Sequence, residues 1–231
     1  MTSLAHTLGL KNNLNFHDVY SLTDTELLSF VPRPALALLV IIPLTPSWRA
    51  SRIEEDASCH NYSGNGLTEP VLWFKQTIRH ACGLIGLLHC LSNLPDGYAN
   101  AITPGSLLDR LTRAAIPLDP TARAQLLYDS AELEAAHQSH AQEGQSAPPE
   151  DADAFDETLH FVAFVKGRDG QLWELEGGRK GPVQRGVLEE GEDVLSQRAY
   201  ELGMGRILEL QEEEADVRFS AIVLAPETDD V

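Results

Sequence analysis

The 231-residue chain has little positive charge. Seventeen lysines and arginines stand against 35 aspartates and glutamates, for a formal net charge of −18. Such an acidic surface repels phosphate backbones and anionic headgroups, so neither nucleic acid nor a membrane is expected as a partner. A basic partner or substrate suits it better. Cysteine is also scarce: Cys59, Cys82 and Cys90 make an odd count, with no Cys-x-x-Cys pair. Neither a disulfide framework nor a cysteine zinc site is indicated. Met1 to His6 carry neither the basic nor the apolar segment of a secretory leader. The expectation is a reducing compartment, cytoplasmic or nuclear. The longest apolar run, Ala35 to Leu44, has ten residues. That is too short to cross a bilayer but suits a buried strand. The 43% of apolar residues is enough for one packed domain over 1–231.

The pattern along the chain alternates helices and strands. A short helix is expected over Leu4 to Leu10, a strand over Phe16 to Tyr20, and a helical turn after the Asp24 cap. Pro32-Arg33-Pro34 precedes the strand Ala35 to Ile42. From Ile53 to Pro70 the composition reads as a polar connection and loop. Cys82 to Ser92 is apolar on several faces and predicts a central, buried helix. Helices follow over Leu107 to Ala115 and from Asp119-Pro120 to about His137. Residues 138 to 158 are polar, acidic and proline-bearing, and read as a long loop acting as a lid. Leu159 to Val165 and Leu172 to Glu176 form a hairpin about the turn Gly167-Arg168-Asp169-Gly170. A helix over Asp193 to Gly203 and a strand over Arg218 to Leu224 complete the pattern.

Cys82 opens an apolar helix, and Gln76 stands six residues before it. A lone cysteine on such a helix is ordinarily a core residue. At a helix N-terminus, however, the positive end of the macrodipole favours the thiolate, and an amide side chain upstream can donate to an oxyanion. His160 heads one hairpin strand and Glu176 ends the other. Antiparallel pairing brings those ends together. An acid beside a histidine orients the ring and stabilises its imidazolium, which in turn favours a neighbouring thiolate. Other candidates read as structural. His89 and Cys90 lie within the buried helix, His137 and His140 lack a third metal ligand, and Gly177-Gly178 reads as a turn.

The segments Lys75-Gln76-Thr77-Ile78, Ala81-Cys82-Gly83 and Ile85-Gly86-Leu87 resemble the active-site signature of the ubiquitin C-terminal hydrolases, a family of cysteine deubiquitinases. Leu159-His160-Phe161, Asp169-Gly170 and Leu172-Trp173-Glu174-Leu175 resemble its second motif. Similarity extends to Val31-Pro32-Arg33-Pro34, to His140-Ala141-Gln142-Glu143-Gly144-Gln145 as the crossover loop, and to Arg218-Phe219-Ser220-Ala221-Ile222. The resemblance implies an α/β, papain-like fold with a central antiparallel sheet flanked by helices and a knotted backbone. It implies Cys82 as nucleophile, Gln76 as oxyanion donor, His160 as general base and Glu176 where the family has aspartate. It further implies ubiquitin as the substrate, a monomer, and no metal or cofactor.

Some features depart from the pattern. The acid is one methylene longer than the family's, so its carboxylate must fold back to meet His160. His80 and Leu84 stand where the family usually has asparagine and threonine. The family's initial strand, about fifteen further residues, would lie ahead of Leu4. The alternative reading is a ubiquitin-binding protein of the same fold with weak or no catalysis. More remote is a papain-like hydrolase acting on an unrelated amide.

Overall fold

The computed structural model describes residues 1–143, 159–213 and 218–227. Its centre is a single antiparallel sheet. The strands are β1 (Leu14–Asp18), β2 (Ala37–Pro43), β3 (Leu159–Lys166), β4 (Gln171–Leu175), β5 (Val183–Val187) and β6 (Ser220–Pro226). They lie in the order β1-β6-β2-β3-β4-β5, every neighbouring pair antiparallel.

The two middle strands explain why their sequences are almost continuously apolar. Ala37 and Leu39 of β2, with Ala163 and Val165 of β3, face one core; Leu38, Val40 and Ile42, with Val162 and Phe164, face a second. Alternate side chains of a strand point to opposite faces, so a strand covered on both faces has no polar register. Helices α1 (Thr2–Leu8), α4 (Cys82–Ser92), α5 (Leu107–Ala115), α6 (Pro120–Tyr128) and α7 (Ala131–Glu143) supply the first core. The second is supplied by α3 (Pro46–Ala57), α8 (Gln197–Leu202) and α9 (Met204–Glu213), together with the segment around the short α2 (Thr25–Leu28). Each fully buried leucine adds roughly 1.5–3 kcal/mol to such a core.

Helix α4 runs over the predicted residues and is buried from Leu84 to Leu91. It rests on β2 and β3 across Gly83 and Gly86. A Cβ at Gly83 would lie 3.2 Å from the Phe161 ring, and one at Gly86 2.7 Å from Leu39 Cδ1.

The structure corrects the sequence reading in several places. The polar connection expected from Ile53 is the second half of α3. Thr45 caps that helix by accepting from Trp48 N at 3.2 Å, and Pro46 opens it. The helix expected from Asp119 to His137 is two helices. They part at Asp129-Ser130, where the Ser130 hydroxyl accepts from Leu133 N and starts α7. The expected lid therefore begins later, since 138–143 complete α7, and 144–158 lie outside the described residues. Past Gly203 the chain re-enters helix as α9, and β5 forms the sheet's far edge; neither element was expected.

One buried ion pair ties the loop ahead of the site to the helical layer. Arg123 of α6 is fully buried and pairs with Glu69, which also accepts from Tyr62 Oη at 2.8 Å. Its guanidinium further donates to the carbonyls of Ala115, Trp73 and Ile116. Removing one partner of a buried pair leaves a charge with no compensation. Glu69→Ala is therefore expected to lower unfolding free energy by about 3–5 kcal/mol, and Glu69→Ala with Arg123→Met should recover part of it; urea denaturation compares the two.

Candidate active site

Cys82 is the first residue of α4, and its N-cap, Ala81, has no side chain to occupy the free N–H groups of the first turn. Its sulfur is close enough to the His160 side chain and to the backbone N–H groups of Gly83 and Phe161 for all three to act on its charge. Burial alone would raise the thiol's pKa. The hydrogen bond and charge of His160, with the two backbone donors, more than offset burial and bring it below the ordinary thiol range.

His160 lies one residue into β3, opposite Ile42 of β2. Its Nε2 is 2.7 Å from Glu176 Oε1. With Nε2 engaged there, Nδ1 is the nitrogen left for the thiol. Burial of the ring disfavours its charge, but the bonds to Cys82 and Glu176 win and carry its pKa above the ordinary histidine range. Both shifts favour a thiolate–imidazolium pair.

Glu176 follows directly after β4. The register pairs Ala163 with Leu175, which continues as Val162 with Glu176. His160 and Glu176 are therefore diagonal neighbours, not the directly opposed ends that the hairpin suggested. Diagonal residues on one face are separated by about 7–8 Å. The glutamate's extra methylene helps to span that diagonal, and it makes the bond to the ring. The glutamate side chain has no exposed surface. Oε1 also accepts from Gly178 N at 2.7 Å. Oε2 lies 2.7 Å from Arg52 Nη2 in an ion pair that lacks hydrogen-bond alignment. The Trp73 indole fixes the backbone by donating to the Glu176 carbonyl at 3.2 Å. Burial pushes the carboxyl's pKa up, but His160, the charge of Arg52 and the Gly178 N–H together bring it below the usual range.

Gln76 is tied to this acid loop through its backbone: its N–H donates to the Gly177 carbonyl at 2.8 Å. Its side-chain Nε2 makes a 3.4 Å contact to the Ile78 carbonyl, and its buried Oε1 has no partner. Swapping the amide atoms would set oxygen against oxygen, so the N–H2 group faces Ile78. One of its two hydrogens remains for a second acceptor.

The pair Gly177-Gly178, read as a plain turn, is required by close approach on both sides. A Cβ on Gly177 would lie 2.7 Å from Gln76 Cβ and 3.0 Å from Gln76 N; one on Gly178 would lie 2.7 Å from Arg52 Nη2 and 2.8 Å from Glu176 Oε1. Glu174 turns instead to Arg179 and Arg185 (3.3 and 2.8 Å) and is buried there. His80 is exposed and has φ of 58°, a left-handed conformation in which asparagine and histidine are enriched. Leu84 is a core residue at 4% exposure. His89 accepts from Phe74 N at 3.0 Å, and burial lowers its pKa to about 4, so it is neutral. His140 of α7 bonds Ser3 Oγ, Thr7 Oγ1 and the Ala136 carbonyl.

Sequence reasoning missed Trp48 and Arg52, which stand four residues apart on α3. The Arg52 guanidinium carbon is 5.4 Å from the Trp48 ring centroid, and Trp48 is 6.1 Å from the His160 ring. The Thr45-Pro46 cap was the available signal for their helix.

The arrangement can run acyl transfer: a thiolate at a helix N-terminus, a charged imidazole beside it, and a buried acid behind. Comparison with known proteins agrees. The family model described as "Ubiquitin carboxyl-terminal hydrolase, family 1" matches residues 1–207. The chain is 35% identical over 221 residues to ubiquitin carboxyl-terminal hydrolase isozyme L1 of Rattus norvegicus, covering 94% of this chain and 90% of that protein. It is 31% identical over 234 residues to the hydrolase YUH1 of Saccharomyces cerevisiae, covering 97% and 91%. Among solved structures, the UCH37 catalytic domain of Trichinella spiralis, bound to ubiquitin vinyl methyl ester, superposes with a TM-score of 0.70. It has 20% identity and covers 98% of this chain and 91% of that one. A thiol site of this geometry, carried on a sequence that the family model matches from residue 1 to residue 207, decides the assignment: the chain belongs to family 1 of the ubiquitin carboxyl-terminal hydrolases.

Proposed function

We propose that the chain is a cysteine-type deubiquitinase that hydrolyses bonds to the C-terminal glycine of ubiquitin. The observation that carries this reading is the 2.7 Å bond from His160 to the buried Glu176, beside a Cys82 thiol whose pKa His160 lowers. The proteins it resembles carry that activity in their names, and the solved relative holds a ubiquitin derivative. The acidic net charge of −18 suits a basic protein substrate. All three cysteines are free, which supports a reducing compartment, cytoplasmic or nuclear.

In the mechanism we read from the site, Cys82 Sγ attacks the carbonyl carbon of the terminal glycine. The tetrahedral oxyanion accepts from the Gln76 amide and the Cys82 backbone N–H. The His160 imidazolium gives its proton to the leaving nitrogen as the C–N bond breaks, leaving a thioester. Neutral His160 then takes a proton from water, which attacks the thioester and releases the glycine carboxylate. Glu176 holds the ring through both steps. No step calls for a metal or cofactor.

Ubiquitin bearing a C-terminal fluorogenic amide tests this reading. Wild-type turnover that disappears in Cys82→Ala is expected; binding without turnover would sink the enzyme assignment. Glu176→Gln should reduce kcat about 10²- to 10⁴-fold.

The charge shifts also predict the pH profile. The thiolate forms below the ordinary thiol range and the imidazolium survives above the ordinary histidine range, so kcat/KM should plateau around neutrality. Its alkaline limb should lie above the usual histidine pKa. Removing the negative partner destabilises the imidazolium, so Glu176→Gln should move that limb to lower pH.

Glu176→Asp shortens the acid by one methylene. In this site it should lose rate, about tenfold, because the longer side chain makes the contacts to His160, Gly178 and Arg52. An equal or faster rate would show the longer acid to be a handicap.

Gly177→Ala should displace Gln76 and lower kcat with little change in KM, measured on the same amide.

A further inference from the structure

Arg52 belongs to a helix that contributes none of the residues assigned to the mechanism, yet it reaches the acid of the relay. Its Nη2 is 2.7 Å from Glu176 Oε2, on the side of the carboxylate away from His160. The guanidinium lies over the Trp48 ring, and Trp48 in turn packs against the His160 ring. One tryptophan thus touches both the base and the cation behind the acid. Trp48 is 4% exposed and belongs to the second core, so this backing is anchored in packed structure.

Most of the other charges around this point are already paired. Arg52 and Trp48 form part of the wall of a cavity of about 240 Å³ shared with Glu55, Glu174, Arg179, Arg185, Arg206 and Glu209. Glu55 pairs with Arg179, Arg185 and Arg206; Glu174 pairs with Arg179 and Arg185; Asp56 pairs with Arg179. His89 of α4 is near enough to feel the charge of Glu176 but is itself neutral. Among the described residues, Arg52 is the permanent cation that meets Glu176. The carboxylate is fully buried and sits one methylene further out than an aspartate's would, so it has one more torsion through which to turn away from the ring. A second-oxygen contact restricts that torsion.

We propose that Arg52, held by Trp48, is a positioning residue for the reaction: it pins Oε2 of Glu176 so that Oε1 stays on His160 and the Cys82–His160 ion pair persists. The proposal rests on the mechanism above and acts only through Glu176. Without Arg52 the carboxylate turns, the imidazolium loses its partner, and the thiolate loses the imidazolium. The bland alternative is that Arg52 merely neutralises a buried acid and contributes stability.

The discriminating measurement needs no ubiquitin, so it stands even if the substrate assignment fails. Iodoacetamide alkylates Cys82 only as thiolate, and its rate against pH gives an acid limb at the apparent pKa of thiolate formation. The experiment uses a Cys59→Ser background, because Cys59 is exposed while Cys90 is fully buried. Arg52→Gln should move the acid limb up by about one pH unit, the lower end of what a lost charge partner causes. Glu176→Gln should move it as well. Because Arg52 acts through Glu176, the double variant should show no further movement beyond Glu176→Gln alone. Arg52→Lys keeps the charge but loses the planar stack on Trp48, and should fall between wild type and Arg52→Gln.

An acid limb unmoved in folded Arg52→Gln, even with a lower melting temperature, would leave Arg52 a purely stabilising residue and overturn the proposal. Additive shifts in the double variant would also overturn it, since Arg52 would then act on the thiolate directly. If Arg52→Gln does not fold, Arg52→Lys decides: an unmoved limb there is equally fatal.

Discussion

A carboxylate with no exposed surface stands at the junction of this molecule, and most of the local structure can be understood as what makes Glu176 tolerable. An isolated buried charge is prohibitively unstable, so each of its oxygens must meet a donor or cation. His160 and the Gly178 N–H meet one oxygen, Arg52 faces the other, and Trp73 secures the backbone carbonyl. Those partners come from a strand, a glycine turn, a helix and the segment ahead of the nucleophile. Placing one acid therefore fixes four pieces of chain relative to one another. The imidazolium follows from the acid, and the thiolate from the imidazolium, so the chemistry follows from a single desolvated charge.

The glycine pair after Glu176 extends that dependence. Gly177 lets Gln76, the proposed oxyanion donor, lie against the acid loop, and Gly178 leaves room for Arg52 beside Oε1. Two consecutive residues without side chains thus serve opposite sides of the site. One sets the position of the proposed oxyanion donor; the other sets the acid that supports positive charge on the histidine.

Much of this was legible in the sequence because the signals were local. Cys82–Ser92 was readable as a buried helix from its apolar faces, and β2 and β3 from uninterrupted apolar runs. Cys82, His160, Glu176 and Gln76 stood out by residue type and spacing; His160 bonds Glu176 and acts on the Cys82 thiol, and Gln76 is joined to the acid loop through Gly177. What was not legible depends on partners distant in sequence. Only Trp48 of α3 is fully buried. The helix is polar along most of its length because Arg179 and Arg185, more than a hundred residues later, pair with its glutamate and aspartate. Edge strand β5 carries an arginine and a glycine and alternates too weakly to be read. The diagonal placement of His160 and Glu176 could not be read either, since register is a property of the pairing rather than of either strand.

The sheet's two faces bury separate cores, and the relay draws on both. Helix α4 brings the sulfur from the first, while Trp48 of the second backs the histidine. Loosening either layer would separate parts that act on one another only at close range. Catalytic competence in this molecule is therefore a reporter of global order. The sulfur arrives with one layer and the backing of its histidine with the other, so the single sheet between them is what holds the thiol and its base in one place.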